Sequence, residues 1–327
     1  LEESDSALLR VRRKLELLGY DVPQAKDPIV LDEGLARTVT TFQEDHGLEA
    51  DGNISRETVQ ALNIPISRKA ELIALNLERF RWHPRVIREG DAIVVNVPEY
   101  MLHLYRNDKE KMNMRVILGA GFTPTPVFSD TLKYIVFSPT WTVPQSIFVE
   151  EFLPKLLEDP GHFDSERFLF YKEGKPIDPY EEKWDDKDFD PTLYRVVENP
   201  GEENSLGRIK FVMPNNFAIY LHDTPADGLF KRDVRALSHG CIRLEKPVEL
   251  AEYLLSDKKK WNTKRIKDAM VAEEPQQVSL TEPVPVYIVY RTAWIGDHDR
   301  VQFRKDIYGH DRRHLNHLAS FKPDVER

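Results

Sequence analysis

Residues 235–245 read RALSHGCIRLE, and Cys241 within them is the only cysteine of the 327-residue chain. The thiolate is the nucleophile, and a free cysteine with a pKa of about 8.5 is little ionised at neutral pH. A catalytic cysteine therefore needs a base, positive surroundings and a donor for an oxyanion. Two imidazoles are candidates: His239, two residues earlier, and His222, at the end of the FAIYLHD run. Residues two apart on a strand share a face, so His239 and Cys241 can lie together. A neighbouring strand can equally bring His222 to the sulfur. Gly240 lets the backbone pass closely beneath a reacting carbonyl, and Arg243 supplies charge on the thiol's side.

Asp223 follows His222, but adjacent strand residues face opposite ways, so its carboxylate is not expected to orient the imidazole. A backbone carbonyl around Ser238–His239 is expected instead. Trp141 and Tyr220 border the predicted cleft, where they either pack along a substrate or belong to the core. Lys231, Arg232 and Arg235 surround the motif, with Arg208 and Lys210 just upstream. They read either as partners for substrate carboxylates or as solvated surface charge.

Other chemistries fit less well. A free cysteine commonly packs as a small hydrophobe, yet the polar Ser-His-Gly before Cys241 would be wasteful in a core. A phosphatase loop would place arginine six residues after the cysteine, whereas Arg243 stands two after it. Asp186, Asp188 and Asp190 alternate like the start of a calcium loop, but Pro191 and Val197 occupy the glycine and glutamate positions. His310, His314 and His317 would share a helical face in a basic, mobile tail. No metal and no cofactor is assigned.

The net charge of −9 argues against nucleic acid as a partner. No apolar run approaches the roughly 18 residues of a membrane span. One cysteine excludes an intrachain disulfide. The chain opens on LEESDSALLR, without methionine or a signal-like segment, and the sequence leaves open whether a leader or anchor precedes it.

Two domains are expected at this length. Helices are predicted from Ser6 to Leu18, from Asp32 to His46 and from the N-cap Ser55 onward, with ADGNIS as a turn. The landmarks Gly19, Phe42, Gln43, His46, Gly47, Leu48, Asp51, Gly52, Thr58 and Leu62 resemble the peptidoglycan-binding helical domain. We bound this domain at 1–66 and a linking helix at 67–91. Alternating β-branched and aromatic runs, such as AIVVNVPEYMLHLYR and TLKYIVFSPTWTVP, then predict a mostly antiparallel β domain over 92–311. Within it, about 146–206 turns helical, charged and proline-punctuated, a lid-like inserted subdomain. KPVELAEYLLSD and KRIKDAMV read as helices, VPVYIVYRTAWIGDHDRVQF as a hairpin turning at Gly296–Asp299, and 312–327 as a tail. The fold class is α+β.

YLHDTP followed by SHGCIRL, with VVNVPEYMLHLY and GAGFTPTP upstream, resembles the L,D-transpeptidases with the YkuD-type catalytic domain, and most of all the large YcbB-type enzymes of Gram-negative bacteria. The resemblance implies Cys241 as acylated nucleophile and His222 as general base, with His239 tuning the thiolate. It implies Ser238 and Gly240 as shapers of the pocket, with backbone groups near Gly240 and Cys241 as oxyanion donors. Arg243 falls to carboxylate binding or loop support, and Tyr220 and Trp141 to the substrate. The implied substrates are peptidoglycan stem peptides, a donor tetrapeptide and an acceptor diaminopimelate, joined 3→3 in the periplasm. Carbapenem β-lactams are the implied covalent inhibitors. Water as acceptor would make an L,D-carboxypeptidase, and a lipoprotein lysine an anchoring enzyme. A non-catalytic wall-binding protein is the reading from a different class.

Overall fold

The structure, a computed structural model, describes residues 2–82, 91–164, 166–256, 260–296 and 299–320. Its chain divides into two compact units: Leu1–Gly90 with Val95–Met101 and Ile288–Arg327, and Asp91–Val94 with Leu102–Tyr287.

In the first unit, apolar residues at helical spacing bury one stripe of each of three helices. Leu15 of α1 (Glu2–Leu17), Leu35, Val39 and Phe42 of α2 (Glu33–Asp45), and Ala61 and Leu62 of α3 (Arg56–Leu62) form one core. Asp32 and Ser55 cap the second and third helices, accepting from the N–H of Leu35 at 2.8 Å and of Thr58 at 3.2 Å. Each bond satisfies a donor that the first helical turn leaves open. The buried Gln43 ties down the ADGNIS turn: its amide donates to the Asn53 carbonyl at 2.8 Å and accepts from the Gly52 N–H at 2.9 Å. Gly52 sits at φ +74°, a conformation that favours glycine.

The helix α4 (Ile66–Arg81) turns Lys69, Asn76 and Arg79 inward. Lys69 Nζ donates to His46 Nε2 at 3.0 Å, and His46 Nδ1 donates to the Phe42 carbonyl at 2.8 Å. Burial lowers both ionisations, His46 to about 4 and Lys69 to about 8. Residues 83–90 of the expected linking segment lie outside the described residues.

The C-terminal stretch groups with these helices rather than with the β domain to which the sequence assigned residues up to 311. The strands Ala293–Ile295 and Val301–Phe303 pair antiparallel, with residues 297–298 of the expected turn outside the described residues. Buried Asp45 accepts from Arg300 Nε at 2.8 Å and from Gln302 Nε2 at 2.6 Å. Arg79 pairs with Asp311 at 2.6 Å, both nearly inaccessible. The expected mobile tail is helical over His310–Ser320. There His310 stacks on Tyr290 with ring centroids 4.4 Å apart, and His314 Nδ1 lies 3.2 Å from Arg79. Buried charge needs its counter-charge, and that pairing fixes the segment.

The second unit is built on a nine-stranded sheet among the described residues. Its order is Ala236–Ser238, Lys109–Gly119, Ile242–Leu244, Leu221–His222, Ile209–Val212, Phe128–Phe137, Gln276–Val289, Asp91–Asn96, Met101–Arg106. Pairing is mostly antiparallel, with parallel contacts between 221–222 and 242–244 and between 236–238 and 109–119. The helices Pro247–Leu254 and Thr263–Met270 bury Leu250, Ala251, Ile266 and Ala269.

The inserted stretch has a sheet of its own, ordered Trp141–Thr142, Tyr194–Glu198, Phe168–Lys172, Lys175–Ile177. Its separate aromatic core holds Phe148, Phe152, Phe170, Trp184 and Tyr194. The helical stretch that opens it contains a π turn over Phe148–Phe152. Among the described residues no helix is long and apolar enough to cross a membrane.

Candidate active site

Three short strands lie side by side: Ile209–Val212, Leu221–His222 and Ile242–Leu244. Their register places Lys210, His222 and Arg243 on one rung. Cross-strand partners share a face, and so do residues two apart. Tyr220 and Cys241 therefore lie on that same face, one step back, where the Ile242 N–H donates to the Tyr220 carbonyl at 3.1 Å. The alternate rung, Phe211, Leu221 and Ile242, is fully buried on the other face. Alternation alone thus puts the apolar set on one face and the chemistry on the other.

His222 and Cys241 are diagonal neighbours, with backbones on the order of 8 Å apart by strand spacing and rise. No hydrogen bond joins them among the described residues. The thiol, partly exposed, donates to the Ala218 carbonyl at 3.7 Å. Tyr220 lies near the sulfur and favours its charged form, and Trp141 lies near the Tyr220 side chain. Trp141 also packs against the core of the inserted subdomain.

His222 is 4% exposed, and its Nδ1 lies 2.5 Å from the Asp223 carbonyl. A carbonyl only accepts, so Nδ1 carries the proton and Nε2 keeps its lone pair. The orienting carbonyl is thus that of Asp223, not one from Ser238–His239. The Asp223 carboxylate is turned to the N–H groups of Arg208 and Thr224, both at 2.8 Å. Burial, then Arg243 and Lys210, push the imidazole down to about 3, against the Asp223 bond. The ring is neutral at pH 7. Burial also raises the Cys241 thiol, while Tyr220, Lys210 and Arg243 pull it back.

The motif loop is braced from within. Ser238 Oγ donates to the Cys241 carbonyl at 2.6 Å and accepts from the Gly240 N–H at 3.1 Å. The serine hydroxyl is therefore committed to the loop. Of the two expected oxyanion donors, only the Cys241 N–H stays uncommitted among the described residues. Gly240 holds φ +115°, which favours glycine. Thr123 and Thr125 bond the carbonyls of Ser238 and Gly240 at 3.0 and 2.7 Å, roles that the GAGFTPTP run does not advertise. His239 Nε2 pairs with Glu151 of the inserted subdomain, at 2.6 Å. Arg243 Nε is buried without a partner.

A partly exposed thiol beside a neutral imidazole and unpaired cations has the equipment for thiol-based acyl transfer. The chain belongs to the L,D-transpeptidase catalytic domain family (YkuD), whose profile matches residues 90–288. Residues 4–62 match the profile described as "Putative peptidoglycan binding domain". A curated relative from Haemophilus influenzae, named "Putative L,D-transpeptidase", is 35% identical over 272 residues. That match covers 81% of this chain and 54% of the relative, so the chain spans about half its length. Among solved structures, an L,D-transpeptidase from Mycobacterium smegmatis is 13% identical with TM-score 0.29, covering 61% of this chain and 58% of that one. One from Xylanimonas cellulosilytica is 12% identical with TM-score 0.27, covering 86% and 93%.

Proposed function

We propose that this chain is a peptidoglycan L,D-transpeptidase of the cell envelope, forming 3→3 cross-links between diaminopimelate residues through a thioester on Cys241. The observation that carries the reading is the single thiol, partly exposed, on the same sheet face as a neutral His222. Family membership supports the reaction class, and the helical module over 4–62 supports a wall substrate.

In this reading the sulfur attacks the carbonyl of the L-centre of diaminopimelate at position 3 of a donor tetrapeptide stem. The S–H proton passes to His222 Nε2, and the Cys241 N–H receives the oxyanion. Collapse breaks the C–N bond to the terminal D-Ala, whose amine leaves with the proton from the imidazolium. The side-chain amine of a second diaminopimelate then attacks the thioester, forming the amide and returning the thiol. The raised thiol and the depressed imidazole mean that no ion pair is preformed, so proton movement belongs to the acylation step. Carbapenem β-lactams would acylate the same sulfur.

The test is incubation with disaccharide-tetrapeptide and mass spectrometry of the products. A cross-linked dimer with loss of D-Ala supports the proposal. Tripeptide alone points to a carboxypeptidase, and unchanged tetrapeptide overturns both.

A further inference from the structure

The sequence marks Lys210 only as one of several local cations, but the fold gives it a fixed seat. It stands directly across from His222, and its Nζ lies 3.9 Å from the centroid of the Tyr220 ring. Tyr220 in turn lies near the sulfur, one step back on the same face, and favours its charged form. The acids nearby in the motif are spent elsewhere: Glu151 on His239, Asp223 on backbone N–H groups, and Glu245 on Arg115. Neither Lys210 nor Arg243 has an ion-pair partner among the described residues, and Arg243 Nε is buried without an acceptor. Two positive charges thus stand without counter-charge beside the only thiol of the chain. Partial removal from water strengthens their field at the sulfur, and the aromatic face steadies the ammonium.

We propose that Lys210 is a positioning residue for the nucleophile: seated on the Tyr220 ring, it joins Arg243 in supplying the uncompensated positive charge that lets Cys241 release its proton. This rests on Cys241 being the nucleophile, as proposed above. In the step, the S–H proton goes to His222 Nε2 and the electron pair stays on sulfur, facing the two cations. The titratable and charged groups on this face are Lys210 from one strand, Tyr220 and His222 from the next, and Arg243 from the third. His239, in the preceding loop, is held by Glu151. Burial works against the thiolate, while Tyr220, Lys210 and Arg243 work for it.

The test is the rate of alkylation of Cys241 by iodoacetamide across a pH series, on the full chain. Lys210→Met should move the midpoint upward by about one pH unit, and Lys210→Arg should bring it back. An unmoved midpoint in Lys210→Met overturns the proposal, as does failure of Lys210→Arg to restore it when both keep the native near-UV spectrum. Should Lys210→Met lose that spectrum, Lys210→Gln is titrated in its place by the same criteria. A raised KM for the tetrapeptide with an unmoved midpoint would assign the charge to substrate binding and also overturn it. Alkylation needs no turnover, so an absence of cross-linking by the unmodified chain counts against the proposed function alone.

Discussion

His222 stands directly across from Arg243 in the parallel pairing of their strands. The imidazole therefore faces a guanidinium whose Nε has no acceptor. That neighbour and the burial of the ring keep His222 neutral, while its Nδ1–H is anchored on the Asp223 carbonyl. A base that is neutral is ready to take a proton at pH 7.

His222→Ala should slow acylation of Cys241 by about 10²-fold or more. His239→Ala should cost less, since that ring is engaged with Glu151. Single-turnover acylation kinetics check this, and the reverse ranking would make His239 the base. Nitrogen-15 NMR should also find the His222 proton on Nδ1 at neutral pH.

Gly240→Ala forces a side chain onto φ +115° and brings its Cβ to 3.3 Å from Ile219 Cδ1. We expect a loss of about 1–3 kcal/mol in urea unfolding. Acylation should fall with it, because the same peptide shapes the loop that presents the sulfur.

The motif at 238–243 and its neighbour at 222 are legible in the sequence because residue type and spacing alone mark them. The helix cap at Ser55 is legible for the same reason, being local chemistry. What the sequence hides is long-range. The Lys210–His222–Arg243 rung depends on a strand register that local patterning does not encode. The seat of the C-terminal helix rests on Arg79 meeting Asp311, a pairing far apart in sequence. Likewise, strand alternation excludes the Asp223 carboxylate, but nothing in it nominates that residue's own carbonyl.

Asp311→Ala should destabilise the first unit by about 3 kcal/mol or more, because Arg79 would stay buried without its counter-charge. Thr292 Oγ1, which donates to Asp311 at 2.7 Å, would lose its acceptor as well. Thermal unfolding followed by circular dichroism measures the drop.

Acid should destabilise the fold through two imidazoles. Both are lowered from 6.5, His46 to about 4 and His222 to about 3. The unfolded chain binds these protons first, so their contribution is whole above pH 6.5 and is lost as pH falls toward the folded values. Each adds a slope of about 1.4 kcal/mol per pH unit within its window. Urea midpoints from neutral pH to about pH 5 should fall more steeply in the unmodified chain than in His222→Gln.

The most direct test of the account is the intact mass of the protein after incubation with disaccharide-tetrapeptide at neutral pH, followed by peptide mapping. We predict a stem adduct, lacking the terminal D-Ala, on Cys241, and none on the equally folded Cys241→Ala. A natively folded chain that stays unmodified, or an adduct that persists in Cys241→Ala, would contradict it.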